Sequence, residues 1–351
     1  MKLYRVVMMF FLIFGYLQAE MNPTEVTTAF TKEHNASKGD IEEINESEAI
    51  SLEEENRELK EKIKALEAQI EVLKENETTI ETKTEDSAAF MKASKKIFKG
   101  AKLKIGGKAP KFLSTYYAAN YQSVTDVKSK LESNGFRVLA VTPILKDKIV
   151  LTITNDELQK TNTLLATLHV LVNVGDEVRV QNPSYFGAAY LQDKYKYGQF
   201  TETLKALQAA LGDMYEVKEK YELADLGNYQ FLFGMPYLND TITVAEGDDL
   251  LTKVTGKSAQ KYVAYTLKLP NGDVIVGHKL RNKTNQFLQK IGVDRDANML
   301  PYESIIKGKK AVILDPKYYL ALSVPILSMS EFMKIASAPG EIEKDVKRAY
   351  K

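Results

Sequence analysis

Cysteine is absent from this chain, and several routes close with it. No disulfide can staple the fold, so stability in an oxidising compartment has to come from packing and self-association. No thiolate is available as a nucleophile, and the lipid acylation that follows a bacterial lipoprotein signal has no acceptor. Tryptophan is also missing. The three histidines, His34, His169 and His278, are scattered, and none has another histidine at metal-ligand spacing. A Gly-x-Ser-x-Gly elbow is not found either. Charge is balanced, with 48 Lys and Arg against 47 Asp and Glu, a net of +1. The chain as a whole therefore advertises neither nucleic acid nor an acidic partner.

The longest apolar run lies at the amino terminus. Lys2 and Arg5 precede apolar residues from Val6 to Leu17, interrupted by Gly15, and Ala19 stands before polar sequence. This is the layout of a secretory signal peptide over residues 1–19, with cleavage after Ala19. The run is shorter than the roughly 20 residues a membrane helix needs. An uncleaved anchor is the alternative, because Leu17 is bulky for the position three before the cut. The expected location is the periplasm.

The most regular feature is Ala49 to Ile80. Leu52, Leu59, Leu66, Leu73 and Ile80 occupy one heptad position, and Ala49, Asn56, Ile63, Ile70 and Glu77 occupy the other seam position. Ile at a, Leu at d and one seam Asn favour a parallel two-stranded coiled coil, with a trimer as the alternative. Across such a pair Glu55 meets Lys60, Lys62 meets Glu67 and Gln69 meets Lys74. An amphipathic helix lying on its own globular part would drift at the 3.6 period and show a wider apolar face. The seam instead holds its period over a rod of about 48 Å. Leu52, Asn56, Leu59, Ile63, Leu66, Ile70 and Leu73 are the expected contacts of a homodimer.

Between signal and rod, residues 20–48 are polar and without period, which reads as a disordered tether. Glu33-His34-Asn35-Ala36-Ser37 and Glu43-Ile44-Asn45-Glu46-Ser47 are sequons with an acidic residue two places earlier, resembling acceptors of the bacterial oligosaccharyltransferase system. Chance in a Glu-rich segment produces the same pattern. Asn35 and Asn45 are thus candidate glycan sites. After the rod, residues 81–111 form a basic linker in which eight lysines from Lys92 to Lys111 have no acidic residue among them. A solvated hinge is the ordinary meaning of such a run, and an anionic surface the other. Phe98 is the one interleaved aromatic, too few to stack nucleotide bases.

From Phe112 the pattern becomes globular, and the fold class expected is α+β: the coiled coil followed by two small α+β domains, 112–215 and 216–351. The first shows a strand over 113–119, a helix over 123–133 stopped by Asn134-Gly135, strands over 136–144 and 148–154, strand sequence over 165–181 broken near Gly175, and a helix over 200–211. The second shows short strand candidates at 229–233 and 241–244, and a hairpin of 262–268 with 273–277 across Pro270-Asn271-Gly272. A helix over 285–291, a strand over 310–314 and a helical region from 329 follow. An internal echo aligns residues 175–188 with 308–321: each is a strand ending in Asx-Pro, followed by paired aromatics and small residues.

The helix ending in Asn134-Gly135-Phe136 before an apolar strand, together with Val178-Arg-Val-Gln-Asn182-Pro183, resembles the domain-of-unknown-function family 302. The likeness covers residues 112–215 and, more faintly, the second half. It implies a small α+β domain with an Asn-Pro strand end and no catalytic residue. Tyr185 and Phe186 are bulkier than the small residues the family tends to carry after the proline.

Two ligand motifs are incomplete. Gly256-Lys257-Ser258 imitates the end of a phosphate loop, but Leu251 stands where the first glycine is required. Asp294-x-Asp296-x-Asn298 opens like a calcium loop, yet Met299 replaces its turn glycine and Ile305 its bidentate Glu. No metal and no cofactor are expected. The aromatics after the Asx-Pro turns, joined by Tyr190, Tyr195 and Tyr197, either pack the core or line an apolar pocket. Asn182, Tyr185, Phe186, Asp315, Tyr318 and Tyr319 are the candidate ligand-binding residues on the second reading. The function expected is an exported, non-catalytic binding or scaffolding protein for an envelope protein, a polymer or a small apolar ligand. The alternative is a periplasmic enzyme with its site at the Asx-Pro aromatic turns.

Overall fold

The computed structural model describes residues 96–351. The expected signal peptide, the tether with Asn35 and Asn45, the heptads and the start of the basic linker lie outside the described residues. The rest is mixed helix and sheet of the α+β kind.

The first sheet begins at β2 (Tyr116–Asn120). The helix Val124–Ser133 follows, its amino end capped by the Ser123 side chain, which accepts from the Asp126 N–H. That cap satisfies one of the amides a helix start leaves open. Val127 and Leu131 bury the inner face, and Gly135 at φ +87 turns the chain out of the helix. β3 (Arg137–Leu145), β4 (Lys148–Thr154), β5 (Leu168–Asn173) and β6 (Glu177–Gln181) then run antiparallel in sequence. β6 returns to β2, which also pairs with β7 (Met214–Glu216), giving the order β3-β4-β5-β6-β2-β7. β5 and β6 are buried along their whole length. β5 is correspondingly mostly apolar, whereas β6 alternates Val178 and Val180 with Glu177, Arg179 and Gln181, and these polar side chains are buried too.

The second half repeats this path. β9 (Thr241–Glu246), the helix Leu250–Thr255, β10 (Val263–Lys268), β11 (Val274–His278), β12 (Tyr302–Lys307) and β13 (Lys310–Leu314) form a sheet of order β10-β11-β12-β13-β9. In both sheets the first strand of the copy pairs with the fifth, after a helix and three hairpin-joined strands. The echo of 175–188 in 308–321 falls on matching elements, β6 with its helix Pro183–Leu191 and β13 with its helix Pro316–Ser323. Topology thus carries the duplication far beyond the short stretch where sequence shows it.

One buried core runs from Leu103 to Tyr350 across both sheets. Polar links also cross between the copies: Asn285 Nδ2 donates to the Ile144 carbonyl at 2.9 Å and the Tyr185 hydroxyl to the Leu322 carbonyl at 2.9 Å. Arg179 is buried between Glu177 and Asp296. β8 (Lys220–Glu222) pairs with β1 (Phe112–Ser114), so the chain stays with the first copy as far as Glu222.

Three segments depart from the sequence expectation. The strand over 113–119 is two strands meeting different partners on either side of Thr115. Residues 229–233 form no strand: Tyr229 sits edge-on to Tyr221 and Tyr318 and Phe231 lies on Phe332, so packing takes up these two rings without a ladder, while Leu232 and Phe233 are exposed. Part of the basic stretch is docked rather than free. The Leu103 N–H donates to the Met214 carbonyl at 2.7 Å, Glu216 donates to Ala101 at 2.9 Å, and Phe98 stacks on Tyr215 with ring centres 5.0 Å apart.

Candidate functional site

The long connection between β11 and β12, residues 279–301, ends in the turn Asp294–Met299, which packs against β4, β5 and β6 of the first sheet. Its counterpart between β4 and β5, residues 155–167, is shorter and ends in the single turn Leu164–Ala166, which reaches β12. The longer connection places Ala297, Asn298 and Met299 in the core, all fully buried. The shorter one leaves space beside the second sheet, and that space is a cleft.

The outer part of the cleft has a volume of about 200 Å³. Its walls are Leu164 from the first copy, Ile305, Val312 and Leu314 from the second sheet, and Leu238 from the segment between the copies, with Lys307 also lining it. Leu164, Tyr190 and Leu314 also line an adjoining inner chamber of about 10 Å³, together with Tyr302, Tyr319 and Glu303. Its size is about that of one water molecule. Tyr302 and Tyr319 meet edge to face at 5.3 Å. Their hydroxyls are engaged elsewhere, donating to the Leu314 and Met299 carbonyls, each at 2.9 Å.

Glu303 is the charged group of the chamber. Its Oε1 accepts hydrogen bonds from the Thr167 and Tyr265 hydroxyls, while Oε2 has no hydrogen bond among the described residues. Burial, reinforced by the charge of Glu303, pushes the Tyr265 phenol well above its ordinary range and holds it as a donor. His169 stands behind, fully buried in β5. Its Nδ1 lies 3.0 Å from the Asn298 carbonyl, which can only accept, so Nδ1 carries the hydrogen. Nε2 is turned to Glu303 Oε1 at 3.5 Å and makes no hydrogen bond. Burial also raises Tyr190, Tyr302 and Tyr319 well above ordinary phenol values, so the walls are neutral aromatics.

Of the residues singled out from sequence, Tyr319 reaches this site, with Tyr190 from the wider aromatic group. Asn182 and Asp315 are helix caps: each side-chain oxygen accepts an N–H two residues on, from Ser184 at 3.0 Å and Lys317 at 2.8 Å. Tyr185 and Phe186 pack on each other at 5.2 Å, and Tyr318 packs on Tyr229 at 5.9 Å. The paired aromatics lie in the first turn of helices started by Pro at N1, so most of them face core rather than cavity. Asp296, of the calcium-like stretch, pairs with Arg179, and among the described residues no cluster of acidic and His side chains is placed to hold a metal. Sequence reasoning did not pick out Glu303 or Thr167, and it placed no strand over 302–307, where Tyr-Glu-Ser-Ile-Ile-Lys shows no clear alternation.

A second, larger cavity of about 310 Å³ lies under the docked basic segment, with Lys104 and Lys108 at one side and Tyr117 and Tyr197 at the other. Among the described residues no helix is long and apolar enough to cross a membrane. Comparison of the chain with family models, with curated proteins and with solved structures finds no match.

Proposed function

We propose that this is an exported binding protein whose tandem α+β copies take up a small, largely apolar ligand in the cleft between them, and whose coiled coil pairs two such modules in the periplasm. The observation that carries the reading is the inter-copy cleft: aliphatic walls, a tyrosine-lined end, and one convergent carboxylate. Apolar walls supply affinity and a few placed polar groups supply orientation, which is the usual division of labour in a ligand site. Pairing through the heptads doubles the number of clefts per particle and raises avidity for any polymer or surface that displays the ligand repeatedly.

Thermal unfolding of the exported chain with a panel of small apolar compounds tests the binding role. A binder raises Tm in proportion to the logarithm of its concentration. Val312→Trp, which fills the outer cleft from the sheet, is expected to abolish that rise while leaving the unliganded protein folded. If no compound raises Tm, or if the rise survives Val312→Trp, the cleft is not the site. Sedimentation of the same protein is expected to give a dimer.

A further inference from the structure

Within that cleft, we propose that the ligand is a primary amine with an apolar body, its ammonium group held in the inner chamber by Glu303. The inference rests on the cleft being the binding site and specifies what enters it. The size of the chamber sets the first limit. At about 10 Å³ it admits one water-sized group, which an –NH₃⁺ head is and a trimethylated head is not. The outer part, about 200 Å³, mixes aliphatic side chains with Asn162, Asn239, Thr241 and Lys307, and its apolar side accepts a hydrocarbon or aromatic body.

Chemistry sets the second limit. An ammonium has three donors and no acceptor. At the inner end of the cleft the polar atom without a partner is an acceptor: Glu303 Oε2 makes no hydrogen bond among the described residues, in a side chain only 12% exposed. A carboxylate in an apolar surround is costly unless an opposite charge pairs with it. Thr167 and Tyr265 satisfy Oε1 with neutral hydroxyls, which bring no opposite charge. Tyr190, Tyr302 and Tyr319 also line the chamber, and an aromatic ring attracts a desolvated cation where the cation meets its face. An alcohol would fill the same space without meeting the charge. A carboxylate ligand would meet a like charge, and Lys307, at the outer cleft, is not part of the inner chamber.

Isothermal titration of the full exported chain with hexylamine, 1-hexanol, hexanoate and hexyltrimethylammonium tests this. Hexylamine is expected to bind at least tenfold more tightly than the other three. Glu303→Gln keeps an acceptor for Thr167 and Tyr265; it is expected to weaken hexylamine at least tenfold and hexanol less than twofold. Equal binding of amine and alcohol, or equal or tighter binding of the trimethylated head, overturns the amine assignment and leaves the cleft intact as a site. Binding of none of the four at millimolar concentration overturns the cleft reading together with it. Should Glu303→Gln fail to fold, the ranking of the four ligands on the wild-type protein decides the matter alone.

Discussion

Gly277→Ala probes the support of the site from behind. Gly277 lies on β11 directly across from Tyr265 on β10, and the Tyr265 ring lies over it. A Cβ built at Gly277 would sit 2.1 Å from Tyr265 Cε1. Carbon atoms pack at about 3.5–4.0 Å, so the ring has to retreat by roughly 1.5 Å. It is buried with Ile275 and Ile305 and has little room for that. Overpacking of this kind costs about 1–3 kcal/mol. The retreat also withdraws the Tyr265 hydroxyl from Glu303, a bond to a charged group worth about 1.5–3 kcal/mol. Alanine recovers about 0.5–1 kcal/mol over glycine in a strand. The net expectation is a loss of about 1.5–5.5 kcal/mol, large against the 5–15 kcal/mol by which domains are usually stable. Urea unfolding followed by far-ultraviolet circular dichroism measures it. In a Tyr265→Leu background the ring and its hydroxyl are both gone, and the same Gly277→Ala change should be neutral or stabilising by about 0.5 kcal/mol. The two substitutions are therefore strongly non-additive. A Gly277→Ala loss under 0.5 kcal/mol, or additive effects, would refute the argument that close approach of the ring selects glycine here.

The two Asx caps should differ in weight although they match in sequence. Asn182 also donates from Nδ2 to the buried Ser114 carbonyl at 2.7 Å, so Asn182→Ala costs about 2–4 kcal/mol by urea unfolding, against about 1 kcal/mol for the half-buried Asp315→Ala. Two buried groups titrate with opposite consequences. Burial raises Asp296 from 3.8 to about 6 against the pull of Arg179, so its contribution is complete below pH 4 and is lost as pH rises through 6, at most about 3 kcal/mol. Burial lowers His278 from 6.5 to about 3, so its contribution is complete above pH 6.5 and lost as pH falls towards 3, at most about 5 kcal/mol. Between pH 4 and 6 the two slopes oppose and cancel, so Asp296→Asn is expected to leave a rise of stability with pH and His278→Gln a fall; unchanged slopes in denaturant titrations would contradict both assignments. Phe233, fully exposed beside Gly234, tolerates Phe233→Ser within about 0.5 kcal/mol. Asn56→Val should move the sedimenting species towards higher oligomers, and a clean dimer would remove the role given to that amide.

Much of the chain was legible because local rules were enough. The helix Val124–Ser133 has its Ser cap and its Gly stop in the sequence, and it forms at that place. The hairpin of β10 and β11 follows from alternation around Asn271-Gly272. The Asx-Pro echo was visible and read as a turn, but each proline instead stands at N1 of a helix, Pro183–Leu191 and Pro316–Ser323, because its fixed φ suits a helix start as well as a turn. Tyr185 and Phe186 then drew attention as pocket residues when the helix they begin buries them in the core. The strand candidate at 229–233 had apolar residues and no partner strand.

The site was harder to see for a physical reason. Glu303, Thr167, Tyr265, Tyr190 and Tyr319 come from four strands or helices and one connection, separated by up to about 150 positions, with no spacing to link them. What the sequence by itself determined are the short-range features: caps, turns, the heptad seam and the half-repeated strand end, each decided by residues within a few places of one another. What only the tertiary structure decided is which connection fills the space between the copies. The longer one, ending in Asp294–Met299, packs into the first sheet, while the shorter one leaves a cleft beside the second, and so one carboxylate of the 47 acidic residues comes to face an apolar chamber.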